Sequence, residues 1–278
     1  MSSTAVTLVL SGGGAKTAAH VGAARALAEA GCVPARYVAT SMGAVIAAAL
    51  AAGVEPGALL EQLPEVGRRG VVRDPLAPVQ GLFLRSLLRP GPFRRAVEEL
   101  VPARRFADLA LPLTVCVTDL DTGELLLYGA GGAEAPLVEV LVATCALPIY
   151  FPAHQLDGRR CGDGGLHGAL PLGPAVRLAR EPVVAVDVGP GFDMAAPGAP
   201  ASVPAVIRAH EEATGTLMAE ATAAQLALWR AQPGRPELIY VRPRVERSAT
   251  FRVDRVRQYA EDGYRAARDA LLRWRART

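Results

Sequence analysis

Two short segments, each rich in small residues, hold side chains that could perform nucleophilic chemistry. Ser41 lies in Ala39-Thr-Ser-Met-Gly43, and Asp163 lies in Cys161-Gly-Asp-Gly-Gly165. The small residues around Ser41 suit a sharp turn from a strand into a helix, which would expose the hydroxyl. The glycines beside Asp163 leave its carboxylate open. A serine hydroxyl with a nearby base can transfer an acyl group, although a helix cap at Ser41 and an Asp-Gly turn at Asp163 are the simpler structural alternatives.

A third segment, Ser11-Gly-Gly-Gly-Ala-Lys-Thr17, places three consecutive glycines before a predicted helix. Their backbone N–H groups could stabilise an anion at the positive end of the helix dipole. Alternatively, the glycines could have a structural role only, in a turn that packs closely against its neighbours. A phosphate-binding loop would require glycines where Leu10 and Ala15 stand, and a dinucleotide fingerprint would require one at Thr17. Both nucleotide-binding patterns therefore fail here.

Together the three segments resemble the patatin-like phospholipases, and the resemblance runs through most of the chain. Leu10-Ser-Gly-Gly-Gly-Ala-Lys16 resembles the family's glycine loop, with lysine where arginine is usual and Thr17 where glycine is usual. The serine segment departs from the family only at Ala39, and Asp163-Gly-Gly165 matches in full. Segments resembling the family's connecting sequences follow in the usual order: Phe106-Ala-Asp-Leu109, Thr118-Asp-Leu120, Thr122-Gly-Glu124, Ala143-Thr-Cys-Ala-Leu-Pro148 and Phe151-Pro152.

This resemblance implies a serine acyl hydrolase that acts through a Ser-Asp dyad on a lipid or another acyl ester. Ser41 would be the nucleophile and Asp163 the general base and acid. An oxyanion hole and its supporting residues are implied as well: Gly12, Gly13 and Gly14 for the hole, and Lys16, Met42, Gly43, Gly164 and Gly165 around it. No cofactor is expected, and no cluster of residues has metal-ligand spacing.

Other interpretations of the same residues stay open. A Ser-His-Asp triad could use one of the four histidines, His20, His154, His167 and His210, of which His167 follows Asp163 most closely. The chain could also be a catalytically inactive lipid-binding or regulatory member of the fold, or a nucleotide-binding protein that uses residues 12–17. Lys16, the only lysine, could add positive potential near the oxyanion hole or lie on the surface at a helix start.

The elements that must position these residues alternate between strand and helix. Val6–Leu10 predicts a buried strand before the glycine loop, and an alanine-rich helix over 16–30 follows. A strand ending at Ala39 and a helix over 44–52 repeat this pattern around Ser41. Later strands are predicted at 113–117, 124–128, 183–188 and 238–241, and helices at 137–146, 203–231 and 253–274. This order predicts a three-layer α/β/α fold with a mainly parallel central sheet.

Composition limits the classes of protein to which the chain could belong. With 278 residues, of which 51% are hydrophobic, it can form one patatin-like hydrolase domain over 1–278, with core motifs in 6–188 and a helix-and-strand extension over 203–278. Thirty basic residues against 27 acidic ones leave a net charge of +3, which is far from the excess typical of nucleic-acid binding. The four cysteines lack C-x-x-C spacing, so we expect no disulfide framework.

One basic, apolar segment suggests contact with a membrane surface. Residues 81–89 combine five large apolar side chains with arginines, inside a stretch from Arg68 to Arg105 that holds nine arginines and three acids. An interfacial lid that meets anionic lipids is one interpretation, and a core-packed helix with a solvated basic face is the other. We expect a cytoplasmic protein, peripheral on membranes at most, because no segment predicts a signal peptide or a membrane span.

Overall fold

The computed structural model describes residues 3–72, 86–191, 205–246 and 252–277, and these residues form a sheet of eight strands between layers of helices. The strands are β1 (Thr4–Leu10), β2 (Cys32–Thr40), β3 (Leu113–Asp119), β4 (Leu125–Gly129), β5 (His154–Leu156), β6 (Arg159–Asp163), β7 (Val183–Val186) and β8 (Leu238–Val241). They pair in the order β5-β6-β3-β2-β1-β7-β8, with β4 also paired to β3. The strands from β3 through β2, β1 and β7 to β8 are parallel, whereas β4, β5 and β6 pair antiparallel. The predicted fold class is confirmed.

The registers along β3 bring two strand ends together. Cys116 of β3 pairs with Thr40 at the end of β2, and the next residue, Val117, pairs with Asp163 at the end of β6. Strand β4 pairs with the same two residues of β3, Cys116 and Val117, from the other edge. Both β2 and β6 therefore lie along the edge of β3 that faces away from β4. The two strands therefore end next to each other, and Ser41 follows directly after Thr40.

Helices cover both faces of the sheet. The helices are α1 (Ala18–Glu29), α2 (Ser41–Ala51), α3 (Pro56–Gly70), α4 (Pro90–Leu100), α5 (Leu137–Thr144), α6 (Leu172–Leu178), α7 (Ala205–Ala231) and α8 (Val256–Arg275). Alternate residues of β1 show the two layers: Leu8 and Leu10 pack into the core beneath α1 and α2, whereas Val9 packs with Trp229 of α7 and with α6. Helix α2 is buried over most of its length, so its start is held firmly against the sheet.

Most predicted elements are present, but three helices were not predicted. Helix α3 contains Pro64 and several glycines, α4 begins at Pro90, and α6 spans only seven residues. Proline and glycine typically indicate loops, which concealed the apolar face of α3 at Leu59, Leu63 and Val66. Of the predicted membrane-contact segment 81–89, residues 81–85 lie outside the described residues. The described part is not helical, since Leu87 and Leu88 donate N–H groups to the carbonyls of residues 149 and 150.

The C-terminal elements pack directly on the rest of the chain. Strand β8 extends the sheet beside β7, and α8 crosses α1 at two glycines. A Cβ atom at Gly22 would lie 1.8 Å from the Ala260 carbonyl oxygen, and one at Gly263 would lie 1.9 Å from that of Ala19. The two helix backbones therefore touch where they cross. The glycine loop precedes α1, so this crossing supports the start of the candidate site.

Candidate active site

Ser41 lies at a strained turn between β2 and α2. Its φ angle is 53°, in the left-handed region that residues other than glycine rarely adopt. Gly43 permits the turn, because a Cβ atom there would lie 2.3 Å from the Ser11 carbonyl oxygen. The predicted strand-to-helix junction is therefore present, and backbone strain of this kind concentrates at functional sites.

The side chains of Ser41 and Asp163 are in direct contact. Ser41 Oγ donates a hydrogen bond of 2.7 Å to Asp163 Oδ2, and the Gly165 N–H donates one of 2.7 Å to Oδ1. Asp163 is only 3% exposed. Burial raises its pKa to about 6, and the hydrogen bonds from Ser41 and Gly165 act in the opposite direction. The carboxylate is therefore more basic than a solvent-exposed aspartate while still ionised at neutral pH.

None of the four histidines, all of which lie in the described part of the chain, bonds to Ser41 or Asp163. His20 contacts the Ser11 carbonyl at 2.8 Å, His154 contacts Glu139 at 2.9 Å and His210 contacts Thr214 at 3.3 Å. His167 interacts with the backbone of Gly123, and its pKa is lowered by burial. The side-chain geometry around Ser41 thus provides a carboxylate and not an imidazole.

The glycine loop lies against Ser41, but its three N–H groups are not equivalent. The Gly12 N–H donates to the Ala169 carbonyl at 2.9 Å, so the prediction that Gly12 supplies a free donor needs correction. Gly12 instead allows close approach, since a Cβ there would lie 3.0 Å from Ser41 Cβ. The N–H groups of Gly13 and Gly14 have no acceptor among the described residues, which leaves them available to a ligand.

Residues distant in sequence hold this loop in place. Ser11 Oγ accepts a hydrogen bond of 2.8 Å from the Val188 N–H, and a Cβ at Gly13 would lie 2.8 Å from Val188 Cγ2. The Asp187 carboxylate bonds to Tyr240 at 2.7 Å and to Arg242 at 3.1 Å, which anchors this strand end. Residues after β7 therefore shape the loop, and the glycine motif alone gave no indication of this.

The supporting residues of the predicted site also gather around Ser41. Lys16 is 2% exposed and lines the cavity described below, so the alternative of a surface position is wrong. Met42 lines the same cavity. Gly164 and Gly165 permit close packing after Asp163, because a Cβ at Gly164 would lie 2.1 Å from the Cys116 carbonyl oxygen.

Ser41 and Asp163 open into a cavity of about 540 Å³, within the size range of small-molecule sites. One side consists of the glycine loop, and another is polar and formed by α7, including Arg208 and Glu211. The remaining wall is apolar and comes from α2, α3, α4 and the segment after α5: Met42, Val45, Leu63, Val66, Phe93, Val97, Leu100, Leu147, Tyr150 and Phe151. An acyl chain would meet apolar side chains immediately beyond the serine.

Comparison with known proteins identifies the family. The family model described as patatin-like phospholipase matches residues 8–176, more than half of the chain. The chain belongs to the patatin-like phospholipase family. An uncharacterized NTE family protein of Mycobacterium tuberculosis is 31% identical over 199 residues, which are 69% of this chain and 52% of that protein. Human patatin-like phospholipase domain-containing protein 6 is 30% identical over 189 residues, which are 66% of this chain and 13% of that protein.

The structure of VipD from Legionella pneumophila is similar at 14% identity, with a TM-score of 0.47 over 98% of this chain and 67% of that one. The chain spans about half the length of the mycobacterial relative that it matches. The patatin-like match ends at residue 176, so Val188 and the Asp187 contacts lie beyond it.

The patatin-like site also includes two residues to which the sequence gave no role. Thr144 Oγ1 lies 2.8 Å from the Ser41 backbone nitrogen, and Cys145 interacts with the Ser41 side chain and lines the cavity. Burial is the main cause that raises the pKa of the Cys145 thiol well above its usual value. Both residues occur in the segment 143–148 that resembles the family, but only folding brings this segment to Ser41.

Three other properties concern the described residues alone. In those ranges, no group of three or more His, Cys, Asp or Glu side chains is arranged to hold a metal ion. No helix there is both long enough and apolar enough to cross a bilayer. All four cysteines are buried free thiols.

Proposed function

We propose that this patatin-like protein is a serine acyl hydrolase that cleaves carboxylic esters of lipids through a Ser41–Asp163 dyad. The observation that carries the proposal is the 2.7 Å hydrogen bond from Ser41 Oγ to Asp163 Oδ2 at an apolar cavity. The elevated pKa of Asp163, about 6, supports its role as base.

In the first half of the reaction, Ser41 Oγ attacks the ester carbonyl while its proton passes to Asp163. The negative charge that develops on the carbonyl oxygen would be stabilised by the N–H groups of Gly13 and Gly14. The tetrahedral intermediate then expels the alcohol, and Asp163 returns the proton to the leaving oxygen. An acyl-serine ester remains on Ser41.

In the second half, water takes the place of the alcohol. Asp163 accepts a proton from this water as it attacks the acyl-serine carbonyl, and the same two N–H groups stabilise the second oxyanion. Collapse of the intermediate breaks the bond to Ser41 Oγ, which regains its proton from Asp163. The products are a carboxylic acid and an alcohol, and the enzyme returns to its starting state.

The cavity supports a substrate with an acyl chain. Its apolar wall would receive the chain, and the side formed by α7 would face the alcohol part of the ester. Peripheral membrane contact through residues 81–89 stays a prediction, because residues 81–85 lie outside the described ranges.

Labelling with a fluorophosphonate, which reacts with activated serines, tests the proposal. We expect one label on Ser41 in the parent protein, none in Ser41→Ala, and strongly reduced labelling in Asp163→Asn. Ser86→Ala is the matched control, because the Ser86 hydroxyl bonds to the Leu88 carbonyl and lies outside the proposed dyad. A folded parent protein without label would instead favour a lipid-binding member of the family that lacks catalysis.

A further inference from the structure

Thr144, the last residue of α5, connects the Ser41 backbone to the sheet. It is fully buried. Its hydroxyl donates to the Cys116 carbonyl at 2.6 Å and accepts from the Ser41 N–H at 2.8 Å. These directions are fixed, since a carbonyl can only accept, an amide N–H can only donate and a hydroxyl has one proton.

The fold explains why the Cys116 carbonyl requires this partner. At Cys116 the neighbour of β3 changes from β2 to β6. The Cys116 oxygen faces this junction, as its proximity to Gly164 indicates. The Thr144 hydroxyl donates a hydrogen bond to the Cys116 carbonyl at the point where β2 leaves the sheet. The same hydroxyl accepts a hydrogen bond from the Ser41 N–H, the first N–H group after β2.

The same segment contacts the other member of the proposed dyad. The Ala146 carbonyl accepts a hydrogen bond of 3.1 Å from the Asp163 N–H, two residues beyond Thr144. Residues 144–146 therefore hold the backbones of both Ser41 and Asp163. Because Ser41 has a left-handed φ of 53°, its conformation depends on such external contacts.

We propose that Thr144 is a positioning residue that holds the Ser41 turn in its strained conformation and so keeps Oγ directed at Asp163. This inference rests on the proposed hydrolase function. Without the hydroxyl, the Ser41 N–H and the Cys116 carbonyl would both be buried without a partner. Among the described residues, the Thr40 hydroxyl bonds to that of Thr144, at 3.5 Å, and not to either of these two groups. Loss of the Thr144 hydroxyl would therefore relax the turn and move Oγ away from its reactive position.

Three variants assayed on one short-chain p-nitrophenyl ester test this role. Thr144→Val removes the hydroxyl while nearly keeping the shape of the side chain. We expect kcat to fall ~10- to 100-fold, because a small misplacement of the reacting groups slows the chemical step. KM should stay within about two-fold of the parent value. Thr144→Ser restores the hydroxyl and should keep kcat within about three-fold of the parent value. Thr114→Val is the matched control, since it removes another buried threonine hydroxyl that bonds to a carbonyl, that of Ala130.

Hydrogen exchange of the Ser41 amide in the parent protein and in Thr144→Ser gives a second measurement that needs no activity. We expect slow exchange in both proteins, and rapid exchange in the parent would overturn the proposal. Full kcat in folded Thr144→Val, or equal losses in the valine and serine variants, would also overturn it. A parent protein inactive on every ester contradicts the hydrolase function itself, whereas an active parent with a fully active Thr144→Val contradicts only the role of Thr144.

Discussion

At the residue scale, the burial of Asp163 determines the pH dependence of the proposed reaction. The carboxylate must be ionised to accept the Ser41 proton, and its pKa is about 6. We therefore expect kcat/KM to rise tenfold per pH unit below about pH 6 and to level off above it. The measurement is a pH profile on a neutral ester from pH 4 to 8. A profile that is flat over this range would show that no group with the pKa of Asp163 acts as the base.

The residues that form the pair could be predicted from the sequence, but the residues that hold them could not. Ser41 and Asp163 lie in short glycine-flanked segments, and each segment carries its own local signal. Thr144 and Val188 contact the site across 103 and 177 residues of chain, respectively. Such contacts depend on the order of strands in the sheet, which no local pattern contains.

At the scale of secondary-structure elements, the turn from β2 into α2 depends on contact between backbones. A methyl group at Gly43 would lie 2.3 Å from the Ser11 carbonyl oxygen, so α2 must shift to accept it. We expect Gly43→Ala to lower the free energy of unfolding by ~1–3 kcal/mol, as overpacking usually does, and to reduce ester hydrolysis. Urea denaturation and a steady-state assay measure the two effects.

The control for this prediction is Gly57→Ala in α3. A Cβ atom at Gly57 would meet no atom within 4 Å, so alanine should stabilise the helix by roughly 0.5–1 kcal/mol. Activity should be unchanged. If Gly43→Ala behaved like Gly57→Ala, the close contact at the turn would not be needed for either stability or activity.

The elements that could be predicted are those with uninterrupted apolar patterns. Strands β1, β3 and β7 are short apolar runs, and α2 is almost entirely apolar. Helix α3 has an equally clear apolar face, but its proline and glycines concealed it from the sequence analysis. Only tertiary contacts explain why glycine stands at positions 67 and 70. A Cβ atom at Gly67 would lie 2.9 Å from Val253 Cγ1, and one at Gly70 would lie 2.7 Å from Ala96 Cβ.

At the scale of the whole molecule, we expect the burial of Asp163 to reduce the stability of the fold at neutral pH. The pKa of Asp163 rises from 3.8 to about 6 on folding, so the folded state binds its proton more tightly than the unfolded state does. Burial of Asp163 therefore leaves the free energy of unfolding unaffected below about pH 4. The free energy of unfolding falls as the pH rises from about 4 to 6, and it remains reduced above pH 6. The penalty is roughly 3 kcal/mol at neutral pH, at about 1.4 kcal/mol per pH unit between the two pKa values.

We expect Asp163→Asn to abolish this penalty and to raise the free energy of unfolding at pH 7.5 by about 1–3 kcal/mol, with little change at pH 4. Chemical denaturation at the two pH values measures the difference. Asp187→Asn is the control, because the buried Asp187 carboxylate is paired with Arg242. Replacing this carboxylate with a neutral amide breaks the ion pair, so the substitution should destabilise the protein. An Asp163→Asn variant less stable than the parent at pH 7.5 would contradict the assigned burial effect.

The most direct test of the Ser41–Asp163 dyad is the rate of hydrolysis of one short-chain p-nitrophenyl ester by purified, folded variants. We predict that Ser41→Ala and Asp163→Asn each lose roughly 10³-fold or more of kcat, and that the double variant is no worse than either, because the two residues act as one unit. His167→Ala and His210→Ala should remain close to the parent. A histidine variant as inactive as Ser41→Ala would contradict the dyad and establish a triad in its place.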